Sequence, residues 1–185
     1  MIIDPAIDTP TRAQWREWLS ANHADEKHVW LIMSKEQSDG YLDFVEEALC
    51  FGWIDSTKKR TDDGRTAQRF SPRSKRSNWT ELNKERVRRL ERLGLLTDAG
   101  RRVLPDMRPE AFVVDEDIIA QLQRDETLYR HYLELPALYV RIRIDNIQSV
   151  RSDPAMFRSR LDKFISHTRD NRLYGQWHDD GRLLE

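Results

Sequence analysis

The sequence predicts an α+β fold that is mainly helical: a small antiparallel sheet with flanking helices, followed by a C-terminal helical unit. Apolar residues recur at helical spacing over much of the chain. Residues 53–60 and 65–71 resemble strands, and they flank Asp62-Asp63-Gly64, a sequence typical of β-hairpin turns. Hydrophobic residues make up 38% of the chain and include 6 Trp and 6 Phe, which is enough aromatic volume for a folded core.

The N-terminal elements begin with a helix. Thr9-Pro10 is typical of an N-cap followed by proline at the first helical position, and Trp15 and Trp18 follow at helical spacing. The short apolar run 29–33 then predicts a buried strand.

A second helix is predicted over residues 42–51, with Glu46 and Glu47 on its polar side and Gly52 at its end. Pro72 ends the hairpin that follows, because proline cannot donate to a central ladder. Ser77 or Thr80 then caps a basic helix that runs to Leu93. We expect one core to hold the apolar side chains of these elements, namely Trp15, Trp18, Trp30, Leu31, Val45, Leu49, Phe51 and Trp53.

The C-terminal part reads as a series of helices. Pro105–Val114 has two prolines and no periodicity, so it is the expected joint between two parts of the chain. We therefore predict an N-terminal α+β domain over residues 1–104 and a helical unit over 115–185. The predicted helix starts in that unit are Asp115, Asp125, Pro136 and Asp153-Pro154.

Composition excludes several functional classes. The single Cys50 excludes an internal disulfide and a cysteine-rich zinc site, and we expect this thiol to be buried and inert. No apolar run approaches the roughly 20 residues of a membrane helix, and no secretory signal is visible. Motifs for phosphate loops, hydrolase elbows and metal-binding helices are also missing. We therefore expect a cytoplasmic protein without a cofactor, a bound metal or membrane contact.

Charge is distributed unevenly along the chain. The net charge is −1, but residues 58–92 hold thirteen cations and five anions, which gives this segment +8 and the rest −9. A local excess of this size attracts anionic partners regardless of the overall charge. The same pattern in the helix 84–92 is also typical of a solvated face, because glutamates alternate with its cations.

Three motifs resemble a known family. They are the segment 46–55 (EEALCFGWID), the segment 69–73 (RFSPR), and Ser77-Asn78-Trp79-Thr80 with Asn83. Together with their order and spacing, they are similar to the YdeI/OmpD-associated family of bacterial proteins, also called the OmdA or bacteriocin-protection family. The resemblance implies a cytoplasmic bacterial protein linked to stress or bacteriocin tolerance. It supplies no established reaction.

The aromatic and cationic residues of these motifs form the predicted binding surface. Aromatic rings and guanidinium groups together suit an anion or a nucleic acid. The first turn of the basic helix would add N–H donors for the same anion, although capping alone explains its serine and threonine. The predicted ligand-binding residues are Trp53, Asp55, Arg69, Arg73, Arg76, Ser77, Trp79 and Asn83.

Asp55 has two interpretations. We expect it to face Arg69 or Arg73 across the hairpin, either to orient an arginine toward a ligand or to form an ion pair that fixes the hairpin. We favour a non-enzymatic factor that binds an anionic ligand or nucleic acid. The alternatives are a protein-interaction factor that docks an acidic partner, and a hydrolase or transferase that uses Asp55. The oligomeric state is left open.

Overall fold

The predicted α+β class is confirmed. The computed structural model combines a four-stranded sheet with helices over much of the chain. The described residues are 3–8, 10–34, 40–74 and 77–184.

The chain divides into two compact units. The first unit comprises residues 1–78 and 86–105, and the second comprises residues 79–85 and 106–185. Each unit has its own set of buried apolar side chains, so each is described separately.

The sheet belongs to the first unit. Its strands are β1 (Ala6–Asp8), β2 (Val29–Met33), β3 (Trp53–Arg60) and β4 (Thr66–Pro72), in the spatial order β1-β2-β4-β3. The β2–β4 and β3–β4 pairs are antiparallel, as expected. The three-residue strand β1 pairs parallel with β2, so the sheet is mixed. Sequence analysis did not predict β1, because a three-residue strand is too short to show alternation of apolar and polar residues.

The helices of the first unit are α1 (Arg12–Asn22), α2 (Tyr41–Cys50), the later turns of α3 (Glu81–Arg92) and α4 (Asp98–Arg101). Thr11, not Thr9, caps α1, and it forms a reciprocal capping box with Gln14. Thr9 itself lies outside the described residues.

The core of the first unit is aromatic. Trp15 and Trp53 are each at most 1% exposed, and the Trp15 ring lies 5.3 Å from that of Phe70 on β4. Trp30 is equally buried, but it pairs with Arg69 and so lies on the other face of the sheet from Phe70, which makes the prediction of one shared core wrong for Trp30. Since Phe70 contacts α1, the face of the sheet that carries Phe70 is covered by helices. Trp18 is only partly buried and stacks on Trp15.

The helical pattern predicted that Glu46 and Glu47 lie on a solvated face of α2, and this prediction is wrong. They are 1% and 3% exposed, because arginines from neighbouring helices surround them. Arg12 and Arg16 of α1 bond to Glu47 at 2.7 and 2.6 Å, and Arg89 of α3 bonds to Glu46 at 3.2 Å. Ion pairing therefore keeps two charged residues inside the unit.

The end of α2 is fixed by the segment before α4. The Thr97 hydroxyl donates to the carbonyl oxygen of Cys50 at 2.7 Å. A β-carbon at Gly100 would lie 2.4 Å from that oxygen, so only glycine allows this approach. Cys50 is buried, as predicted, and burial raises the pKa of its thiol to about 11.

The second unit is helical. Its helices are α5 (Glu116–Leu122), α6 (Glu126–Glu134), α7 (Ala137–Gln148) and α8 (Pro154–Arg169), with 3₁₀ turns at Pro109–Ala111 and Arg182–Leu184. Asp125 and Asp153 cap α6 and α8, as predicted. The core gathers around Tyr139, Ile144, Leu161 and Phe164, each fully buried.

Candidate anion-binding cleft

A β-bulge distorts the predicted hairpin. Asp55 pairs with Phe70 and Lys58 pairs with Gln68, so three steps along β3 match two steps along β4. Without the extra residue, Thr57 would stand opposite Gln68. The bulge therefore places Lys58 on the same face of the sheet as Asp55 and Gln68.

Gln68 holds this bulge in place. Its side chain is 4% exposed, and its Nε2 donates to the carbonyl oxygens of Ser56 and Thr57 at 3.1 and 3.3 Å. Both bonds fix the orientation of the amide. In the described part of the chain, nothing donates a hydrogen bond to the Gln68 Oε1 oxygen.

A cleft of about 150 Å³ opens beside the bulge, and it is lined by Met33, Tyr41, Lys58 and Gln68. Lys58 is exposed, and its ammonium forms no ion pair within the described ranges. The cleft thus combines an uncompensated positive charge with a fixed amide oxygen.

Tyr41 adds a hydroxyl group that already donates a hydrogen bond within the protein. Its Oη donates to Asp55 Oδ2 at 2.5 Å. Burial, followed by this hydrogen bond, raises the pKa of Tyr41 well above its usual value, so the phenol stays protonated at neutral pH. The Tyr41 oxygen can therefore accept a hydrogen bond from a ligand, but it has no further proton to donate.

The charge of Asp55 acts on Arg73, one of the two arginines that the sequence analysis expected it to face. Burial lowers the pKa of Arg73 to about 10, and the Asp55 carboxylate opposes that change. Arg73 is 5% exposed, and its Nη1 donates to the carbonyl oxygen of Asn78 at 3.2 Å. These contacts make it a structural residue of the first unit.

The predicted cationic and aromatic surface is not assembled as expected. Trp53 is 1% exposed and belongs to the core, because its ring packs edge-on against Trp15 and Trp18. Arg69 pairs with Trp30 in the sheet and so lies on the opposite face from Asp55. With Arg73 buried, these two arginines do not present one solvated face. Arg76 lies outside the described residues.

The helix start that we expected to bind an anion is already occupied. The N–H groups of Glu81 and Asn83 donate to Asp145 Oδ2 at 3.1 Å and to Thr80 Oγ1 at 3.2 Å. Capping by Thr80 is thus confirmed, and these two donors are engaged. Ser77 lies before the helix, where its hydroxyl accepts the N–H of Ser74. Trp79 and Asn83 belong to the second unit, whereas Ser77 belongs to the first.

Comparison with protein-family models matches residues 7–103 to a family described as a domain of unknown function, DUF8412. The chain belongs to the DUF8412 family. Among the described residues, all those that line the cleft fall within the matched segment. No curated protein and no solved structure matches the chain. The resemblance to the YdeI/OmpD-associated family therefore stays a prediction.

Sequence reasoning missed the three polar residues of the DUF8412 cleft. Gln68 and Tyr41 belong to no recognised motif, and Lys58 was only one of many cations. The missing signal is the bulge, because a hairpin pattern does not show which strand carries an extra residue. No group of acidic, histidine and cysteine side chains that could hold a metal ion occurs in the described residues, nor does a helix that could cross a membrane.

Proposed function

We propose that the DUF8412 domain of this chain binds a small organic anion that also carries a hydroxyl group. The observation that supports this most is the bulge held by Gln68, which brings Lys58 to the mouth of the cleft. Bulges that redirect a side chain are over-represented next to active sites.

The three polar groups of the cleft would contact different parts of the ligand. The Lys58 ammonium offers charge and donors to a carboxylate or phosphate. The Gln68 Oε1 and Tyr41 Oη oxygens can only accept, so the ligand must supply the donor. A hydroxyl next to the anionic group meets that need.

The size of the cleft favours a small molecule over a nucleic acid. Its volume of about 150 Å³ lies below the roughly 300–1,000 Å³ of pockets for drug-sized ligands. Trp30 and Trp53 are each 1% exposed, so neither ring offers a surface for base stacking. Two cations of α3, Lys84 and Arg89, are paired with glutamates.

The other hypotheses have less support. A hydrolase or transferase that uses Asp55 needs this carboxylate to contact a substrate, but its Oδ2 already accepts the Tyr41 hydroxyl. Docking of an acidic protein and a link to stress or bacteriocin tolerance stay predictions.

Lys58→Ala is expected to weaken binding of glycolate by about 10- to 100-fold, because it removes a charge-assisted hydrogen bond. Isothermal titration calorimetry on the full chain measures this, with acetate as the matched anion that lacks a hydroxyl. We expect wild type to bind glycolate more tightly than acetate. Tyr41→Phe should reduce this preference, because it removes one acceptor.

Lys27→Ala is the matched control, because Lys27 is an exposed lysine of the first unit that does not line the cleft. Equal losses of glycolate affinity in Lys58→Ala and Lys27→Ala would contradict the proposal. Tight, salt-sensitive binding of single-stranded DNA without glycolate binding would instead favour a nucleic-acid surface.

A further inference from the structure

A second cleft, of about 300 Å³, lies within the second unit. Most of its lining comes from residues beyond the segment that matches the DUF8412 model. Its polar lining residues are Thr80, Arg143, Asp145, Asn146, Ser149 and Gln176.

Arg143 is held in this cleft by aromatic rings. Its Cζ lies 4.8 Å from the centre of the Tyr174 ring and 5.9 Å from that of Tyr139. Such contacts restrain a guanidinium without neutralising its charge. A β-carbon on Gly175 would lie 2.4 Å from Arg143 Nη2, so glycine at this position makes room for the guanidinium. The backbone of Gly175 also has a φ of +75°, which disfavours other residues.

Arg143 has no carboxylate partner within the described residues. Its guanidinium lies against two tyrosine rings and Gly175, and its Nε is buried without a hydrogen-bond partner. An arginine that is restrained but unpaired is ready to bind a planar anionic group with two parallel hydrogen bonds.

Asp145 supplies the opposite charge in the same cleft. Its Oδ2 accepts the N–H of Glu81, and no cation pairs with its carboxylate in the part of the chain that the structure describes. The ammonium of Lys84 bonds to Glu81 at 2.7 Å instead. Burial raises the pKa of Asp145, although the Glu81 N–H and the charge of Lys84 oppose that change.

We propose that this cleft binds a zwitterion of amino-acid size, with its carboxylate on Arg143 and its ammonium group near Asp145. The cleft holds one unpaired charge of each sign, and a zwitterion compensates both. A simple anion would satisfy Arg143 but would be repelled by Asp145. Amide groups from Asn146 and Gln176 complete the polar lining and can bond to either end.

The test uses four related probes with the full chain: L-alanine, L-glutamine, alaninamide and N-acetylalanine. The last two lack the carboxylate and the ammonium group, respectively. Isothermal titration calorimetry should show binding of the two free amino acids and at least about 10-fold weaker binding of the two blocked probes.

Two variants test which residue binds each charged group of the amino acid. Arg143→Ala should reduce amino-acid binding at least about 10-fold. Asp145→Asn should reduce it similarly but strengthen the binding of N-acetylalanine, because it removes the charge that repels this anion. Asparagine keeps an oxygen that can accept the Glu81 N–H. The matched control is Arg158→Ala, since Arg158 is an exposed arginine of the same unit that does not line the cleft.

Arg143→Lys keeps the positive charge and covers the case in which Arg143→Ala fails to fold. It should still weaken binding, because lysine lacks the planar fork. Unchanged amino-acid affinity in Arg143→Lys and Asp145→Asn would overturn the proposal, as would equal binding of inorganic phosphate and L-alanine. Lys58→Ala should leave amino-acid binding intact, so this proposal and that for the DUF8412 cleft can fail separately.

Discussion

Replacing Trp53 with alanine is expected to destabilise the first unit by about 3–5 kcal/mol, the usual cost of removing a fully buried tryptophan. The ring is 1% exposed and packs edge-on against two other tryptophans. Its Nε1 also donates to the carbonyl oxygen of His23 at 3.2 Å, so the substitution leaves that oxygen without its donor. Urea unfolding followed by circular dichroism measures the change.

Leu93→Ala provides the control, because Leu93 is 53% exposed and should change the free energy of unfolding by less than about 0.5 kcal/mol. If Trp53→Ala lowered the free energy of unfolding by less than about 1 kcal/mol, Trp53 would have to be a surface residue. The original prediction of an aromatic ligand site would then regain its support.

Replacing Glu47 with alanine should cost about 3 kcal/mol, the lower end of the range for breaking a buried ion pair. Glu47 is 3% exposed and pairs with two arginines. The side chains of Arg12 and Arg16 are each 36% exposed, so water can hydrate their charges once Glu47 is removed. That compensation places the expected loss at the lower end. Thermal unfolding of both proteins gives the difference.

A surface ion pair gives the matched comparison. Glu91 pairs with Arg101 at 3.0 Å, and both side chains are nearly half exposed. Glu91→Ala should therefore cost at most about 1 kcal/mol. If both glutamate variants lost the same small amount, the buried network would have no special role in stability.

Much of the fold could be predicted because local rules determined it. The Asp-Gly turn, the capping aspartates Asp125 and Asp153, and the aromatic stripes all act within a few residues of sequence. The burial of Glu46 and Glu47 could not be predicted in this way. It depends on arginines from other helices, which a helical pattern does not reveal.

The sites were harder to predict because they depend on tertiary placement. The motif around Trp53 was aromatic and close to cations, but burial rather than ligand binding explains the ring. Lys58 gained its position from one extra residue in β3. Arg143 and Gly175 are 32 positions apart in sequence, and only the fold brings the guanidinium against the glycine.

A ¹H–¹⁵N NMR titration of the full chain with glycolate tests the DUF8412 cleft most directly. The side-chain amide of Gln68 is a reporter of the cleft, because Gln68 lines it and its Nε2 is fixed to the bulge. The account predicts saturable shifts of this amide and of the backbone amides of Tyr41 and Lys58, and their loss in Lys58→Ala. Shifts confined to other residues, or a Gln68 amide signal that does not move, would contradict it.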